Sequence, residues 1–397
     1  MAGTIRERSP GHFELRAYNP ATGKQVTRTY RAPRGERGSG IRAARRELAR
    51  LVTEVEDGKF GGSKATLAHL LDEWIRHGEA RGRSPNTLHG YEAKAKRIKA
   101  GPLAAKTVSK LSARDLDNYY VQLMAEGVSQ ATVVHYHRII RAALNQAERW
   151  EWVTRNVARQ VTLGTAPRPE MHVPTVEQAR ALVLRASATI SPDLGPILLF
   201  AMLTGMRRGE LCGIQWGDVE WPERRVTIRR SVWQVRSTWG LKDPKTHQVR
   251  TIALDEAAVS LLAARRSRAE EEAATARAVL RSESFVWSTQ VDGHAPRTPN
   301  SITRAFHRLC ETMEAEARAA EPPRAESWPF RFHDLRHLSA TEMVGQGMDP
   351  RTVASRLGHA DPSVTLRVYA HALEARDRDA AEGLGRVLAS PATTPGA

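Results

Sequence analysis

Residues 162–174, TLGTAPRPEMHVP, hold three prolines and show no apolar period. Each proline fixes φ and removes a main-chain donor, so neither a helix nor a sheet strand can run through the stretch. It reads as an interdomain linker. The 397-residue chain, too long for one ordinary core, is therefore expected to build separate cores on either side of it.

Upstream, residues 1–64 carry 14 Lys/Arg against 7 Asp/Glu. GTIRERS, HFELRAY and KQVTRTYRA read as three short strands, with NPATGK as a hairpin turn between the second and third. GIRAARRELARLVTEVEDGKF follows as an amphipathic helix closed by Gly58. A β-ribbon of this kind can enter a DNA major groove, with strand side chains such as Arg16, Arg28 and Tyr30 expected to make the grip. Residues 65–161 read as helices only, in a four- or five-helix bundle. Ser84 before Pro85, the capping box at Ser112 and Ser129 mark helix starts, and Lys94, Lys96, Arg97 and Lys99 give the bundle a basic face.

Downstream, residues 175–385 read as a mostly helical domain with a small antiparallel sheet. Helices are expected around 176–187, over LGPILLFAML, and at about 256–280 and 299–319, with three strands in RRVTIRRSVW, near WGLKDPKT, and in QVRTIAL. Residues 386–397, ending SPATTPGA, read as a disordered tail. The expected fold class is mainly α with small β elements.

The charge narrows the function. A net +16 and a pI near 10.4, spread along the chain, would attract a polyanion such as DNA, RNA or an anionic membrane surface. No run approaches the apolar length of a membrane span, and MAGTIRERSPGHF lacks an apolar signal core, so membrane insertion and secretion are not indicated. Cys212 and Cys310 are too few for a disulfide framework or a four-cysteine metal site, which fits a reducing, cytoplasmic setting.

Five short motifs follow in order through the downstream part: TGMRRGEL, DPKTHQVR, FHDLRH, LGHADP and a tyrosine at 369. Taken singly, each has an ordinary reading. Arg207 could be a helix-surface arginine, Lys245 a turn lysine, and Tyr369 a packed core ring. His333 and His337 are four apart, but without the glutamate of HExxH or a third ligand they make a poor zinc pair. No GxxxxGKS loop and no two-metal carboxylate cluster are present in the sequence, so neither nucleotide hydrolysis nor a metal requirement is expected.

As an ordered set, the motifs closely resemble the catalytic domain of tyrosine recombinases, the phage-integrase family, over roughly residues 175–375. The two upstream regions resemble that family's arm-type DNA-binding domain and helical core-binding domain in plan only. The resemblance implies a catalytic set of Arg207, Lys245, His333, Arg336, His359 and Tyr369, with no cofactor. Tyr369 would be the nucleophile forming a 3′-phosphotyrosyl link. Arg207 and Arg336 would hold the non-bridging oxygens, for which a guanidinium offers parallel donors. Lys245 would protonate the leaving 5′-oxygen, His333 would act as acid/base, and His359 would donate to the phosphate. Glu210 is expected to orient the Arg207 region, and His371 has no assigned role.

The implied partners are double-stranded DNA at core and arm attachment sites, a homotetramer on that DNA, and an accessory DNA-bending protein and excisionase. The implied activity is site-specific integration or excision of a phage or mobile element in a bacterial host. A Xer-like resolvase or type IB topoisomerase is the nearest rival, and the N-terminal β-module argues against both. A catalytically inactive DNA-binding accessory protein is disfavoured because all six positions carry competent residues.

Overall fold

The computed structural model describes residues 3–19, 24–32, 40–56, 64–165, 172–188, 192–244, 249–322 and 324–358. Lys245, His359, Tyr369, His371 and the tail lie outside them. The chain separates into two compact units, residues 1–169 and 170–397.

The first unit contains two hydrophobic cores. Strands β1 (Gly3–Ser9), β2 (His12–Asn19) and β3 (Lys24–Arg31) form an antiparallel sheet in that order, with helix α1 (Gly40–Glu56) on one face. Alternation along β2 sends Phe13, Leu15 and Ala17 inward against Ala44, Leu51 and Val55. Register then fixes the other strands: Leu15 is paired with Ile5 and Arg28, and Phe13 with Glu7 and Tyr30. Arg28 and Tyr30 therefore belong to the helix-facing side, against the expectation that they grip DNA. Arg28 donates to Glu47 at 2.9 Å and Glu54 at 2.5 Å on α1, and Tyr30 packs on the core. The opposite face holds Arg6, Glu14 and Thr29 in one row and Thr4, Arg16 and Thr27 in the next. There Glu14 is bound by Arg8 and by Arg16.

The second core belongs to four α-helices: α2 (Leu67–Ala80), α3 (Pro85–Lys99), α4 (Ala113–Ala125) and α5 (Gln130–Arg149). Each of the last three starts where the sequence signals it, at N-cap Ser84, Ser112 or Ser129. Leu67, Leu70, Leu71 and Trp74 share this core with Val133, Ile140 and Leu144. The basic face is thinner than its sequence suggests, because Lys99 bonds Asp72 at 2.7 Å and Arg97 bonds Glu126.

The second unit opens with α6 (Val176–Ser187), the almost wholly apolar α7 (Leu194–Thr204) and the short α8 (Arg208–Cys212). Among the described residues, five strands follow where three were expected: β4 (Val219–Glu220), β5 (Arg225–Ile228), β6 (Ser231–Val235), β7 (Thr238–Lys242) and β8 (Arg250–Ala253). RRVTIRRSVW breaks into β5 and β6 at Arg229 and Arg230, both drawn to the buried carboxylate of Asp218. The halves join different sheets, β4–β5–β8 and β6–β7. Helix α9 (Glu256–Thr275) stops short of residue 280, with Arg277 turning left-handed at φ 54°. Helices α10 (Pro299–Ala319), α11 (Asp334–Gly345) and α12 (Pro350–Leu357) follow as the last elements among the described residues. Cys212 and Cys310 are free and buried, and burial pushes each thiol up to about 12. No helix among the described residues is long and apolar enough to cross a membrane.

Two glycines end helices in the left-handed region, Gly205 after α7 at φ 63° and Gly358 after α12 at φ 69°. They bracket the site described next. A Cβ on Gly205 would overlap a methyl of Leu357. Gly205→Ala should therefore lose ~1–2 kcal/mol to backbone strain and about 1–3 kcal/mol to displacement of Leu357. Urea titration of the variant against wild type measures the sum, and an unchanged midpoint would contradict it.

Candidate active site

Helix α12 must end with several main-chain carbonyls that lack intrahelical partners. Three consecutive ones are taken by three different arginines. Arg250 Nε donates to the carbonyl of Arg356 at 3.1 Å. Arg336 Nη2 donates to that of Leu357 at 2.6 Å, and Arg207 Nη2 to that of Gly358 at 2.6 Å. The next residue in sequence is His359.

Each arginine arrives on a different element. Arg207 is the N-cap of α8, two residues beyond the left-handed turn at Gly205. Arg336 lies on the first turn of α11, which packs on α7 and is pinned there by Ser339 donating to the Met202 carbonyl at 2.6 Å. Its second terminal nitrogen donates to the carbonyl of Gly205 at 2.6 Å. Arg250 opens β8 and shares its strand face with the buried Ile252.

One carboxylate orders two of the three. Glu210, only 1% exposed, accepts from Arg207 Nη1 at 2.9 Å and from the Arg207 main-chain nitrogen at 3.0 Å. It also accepts from Arg250 Nη1 at 3.0 Å and Nη2 at 2.6 Å. Burial alone would push this carboxyl up, but hydrogen bonds and charge from Arg250, then from Arg207, hold it below its usual range. It stays ionised, as the sequence reading of an orienting role requires.

The two predicted clamp arginines differ in kind. Arg207 is partly open, with its side chain 21% exposed, and two of its five guanidinium N–H donors are engaged by Glu210 and Gly358. Arg336 is only 4% exposed and joins the ends of α7 and α12, a structural duty that its motif does not advertise.

His333 occupies the N-cap position of α11 without a side-chain capping bond, its ring edge-on to His337 at 5.0 Å. Although the residue is exposed at its rim, it is pushed down to about 4. Partial desolvation contributes most, followed by the charges of His337 and Arg336, with Asp334 opposing. Its imidazole is neutral at pH 7 and can accept a proton. The structure thus brings together Arg207, His333 and Arg336 of the six predicted residues, while Lys245, His359 and Tyr369 fall outside the described part. Among the described residues, no three His, Cys, Asp or Glu side chains form a set that could hold a metal. The residue that sequence reasoning missed is Arg250. Its signal was period two along QVRTIAL, which places it on the face of Ile252.

The phage integrase family model matches residues 175–376, half of the chain. A tyrosine recombinase XerC-like protein of Caldanaerobacter subterraneus is 24% identical over 80% of this chain and 82% of its own. The integrase of transposon Tn1549, solved with transposon right-end DNA, shares the fold at a TM-score of 0.67 and 20% identity. That match covers 82% of this chain and all of the solved one. A lambda integrase tetramer bound to a Holliday junction superposes at 0.57 and 18% identity, over 92% and 94% of the two chains. The chain belongs to the phage integrase family. Its activity is that of a tyrosine-type site-specific recombinase, an enzyme of DNA strand cleavage and rejoining.

The depressed His333 sets a pH signature. An unfolded histidine titrates near 6.5, so between there and about 4 the unfolded chain holds a proton that the native site refuses. The resulting stability is complete above pH ~6.5 and is lost as pH falls toward the folded value. His333→Gln should flatten the decline in melting temperature across that window. Calorimetry at stepped pH checks this, and parallel wild-type and variant curves would refute it.

Proposed function

We propose that Arg207, Lys245, His333, Arg336, His359 and Tyr369 form one active site, which cuts a DNA strand at an attachment site and rejoins it to another. What supports this is the convergence of Arg207 and Arg336 on the last turn of α12, beside the neutral His333. That turn leads directly into His359, with Tyr369 eleven residues beyond Gly358.

In this reading the Tyr369 hydroxyl attacks phosphorus and passes its proton to His333. The bond to the 5′-oxygen breaks, Lys245 protonates that oxygen, and a 3′-phosphotyrosyl ester remains. The free N–H groups of Arg207, with Arg336 behind them, neutralise the pentavalent phosphorus centre, and His359 adds a further donor. A 5′-hydroxyl from a partner strand reverses the sequence, so no external energy source is needed. The solved relatives held on transposon DNA and on a Holliday junction support double-stranded DNA as substrate, a tetramer as the working assembly and a mobile element as the cargo.

The upstream regions take DNA-binding roles in the same scheme. On the bundle, Lys94 and Arg138 flank a groove of about 340 Å³ beside Trp74 and Tyr91 and offer cations to the phosphates of core-site DNA. On the N-terminal sheet, the face opposite α1 presents Arg6 for arm-site DNA, with Arg16 beside it shared with Glu14.

Tyr369→Phe removes one oxygen and should abolish the SDS-stable protein–DNA adduct on a nicked attachment site, with site binding retained. An adduct of normal yield would exclude Tyr369 as nucleophile. For the N-terminal module, the two sheet faces should part company. Replacing Arg6 and Arg16 by Ala should weaken arm-site binding and lower the slope of log K against log salt by about 1 for each phosphate left without its arginine. Arg28→Ala should instead lower the melting temperature and leave that slope unchanged. Filter binding across a salt series, with melting curves, distinguishes the faces, and the reverse pattern would overturn the assignment.

A further inference from the structure

The strongest unassigned group in the second unit is Arg250. Its side chain is only 10% exposed, and its donors go to two destinations. Two terminal N–H groups lie on Glu210, the carboxylate that also fixes Arg207, while Nε reaches across to the carbonyl of Arg356 at the end of α12. Its guanidinium also covers Gly358. A Cβ there would meet Arg250 Nη1 at 2.8 Å, Cζ at 2.9 Å and Nε at 3.0 Å. The glycine of Leu-Gly-His is thus required both by its left-handed φ of 69° and by the plane of Arg250 lying against it.

We infer that Arg250 is a positioning residue for strand cleavage, setting the Arg207 guanidinium and the turn at Gly358 in one fixed relation through Glu210 and the α12 terminus. The inference rests on the active-site reading above. Without Arg250, Glu210 keeps a single arginine partner, the Arg356 carbonyl loses its donor, and the turn at Gly358 loses the surface it rests on. The Arg207 guanidinium and the end of α12 can then drift independently. A displacement of about 1 Å between reacting groups is enough to cost on the order of 10² in rate. Lysine cannot replace it, because one ammonium does not reproduce two parallel donors to Glu210 together with a third directed elsewhere.

The test uses the full-length protein and a nicked suicide substrate carrying one core site, with single-turnover adduct formation as the readout. Arg250→Lys and Arg250→Met should each cleave on the order of 10²-fold more slowly at saturating enzyme, with half-saturation for DNA within about threefold of wild type. A general loss of folding would instead depress binding and the melting curve together. A second substrate, with sulfur in place of the bridging 5′-oxygen, needs no proton on its leaving group. It should restore Lys245→Ala but neither Arg250 variant. A third arm pairs Arg250→Met with Gly358→Ala, and the double variant should lose less than the product of the two single losses, since both disturb the same packing.

Cleavage by both Arg250 variants at the wild-type rate, or their rescue by the sulfur substrate, would overturn the inference. Rescue would mean that Arg250 serves only the Lys245 segment. If wild type itself forms no adduct, or if Tyr369→Phe forms a normal one, the active-site reading fails and not the positioning role.

Discussion

The second unit is organised around the end of one short helix. The carbonyls of Arg356, Leu357 and Gly358 carry the partial negative charge of the α12 terminus, and each accepts from a different guanidinium. Both sides of this contact need it. The carbonyls would otherwise be left with no partner inside the helix. The arginines would otherwise repel one another. Glu210 supplies a full negative charge, shared by Arg207 and Arg250. The ends of α7 and α12, the start of α8, the first turn of α11 and strand β8 are all fixed relative to this point. In the proposed reading, a phosphate arriving there meets an Arg207 guanidinium already oriented by Glu210 and the Gly358 carbonyl, so little reorganisation remains for the chemical step.

Net charge is a looser guide to DNA contact than it first suggests. The formal +16 counts Arg28, Arg97, Lys99, Arg230 and Arg250 as though all were available to a polyanion. Each is instead bonded to a carboxylate of this chain. The bonded side chains hold α1 on its sheet, tie α3 to its neighbours in the bundle and set the break between β5 and β6. Among the described residues that remain open to a partner are Arg6 on the outer face of the N-terminal sheet, Lys94 and Arg138 beside the bundle groove, and Arg207. Position relative to carboxylates decides which basic residues face outward.

Much of this architecture is legible in the sequence because it is local. Ser84, Ser112 and Ser129 cap helices through contacts three residues away, and the prolines of 162–174 interrupt any regular element that meets them. The order of the motifs points to the family and to three residues that do converge. Arg28 and Tyr30 fall on the face opposite to the one expected, although Val26, at the same parity, already points inward. The break between β5 and β6 depends on Asp218, which lies in an earlier turn, and no local pattern marks it. Arg250 and the structural duty of Arg336 are hidden as well. Their partners are main-chain carbonyls and a carboxylate 21 to 131 residues away, and carbonyls leave no signature in a sequence.

The two cysteines have a practical meaning. Cys212 and Cys310 sit inside the core of the second unit, protonated far above neutral pH, so at neutrality they present almost no thiolate to an alkylating reagent. The native protein is therefore chemically silent toward thiol-directed dyes. A cysteine introduced on the outer sheet face or beside the bundle groove would be the reactive one, and fluorescent reporters could be placed on either upstream region without first removing the native thiols.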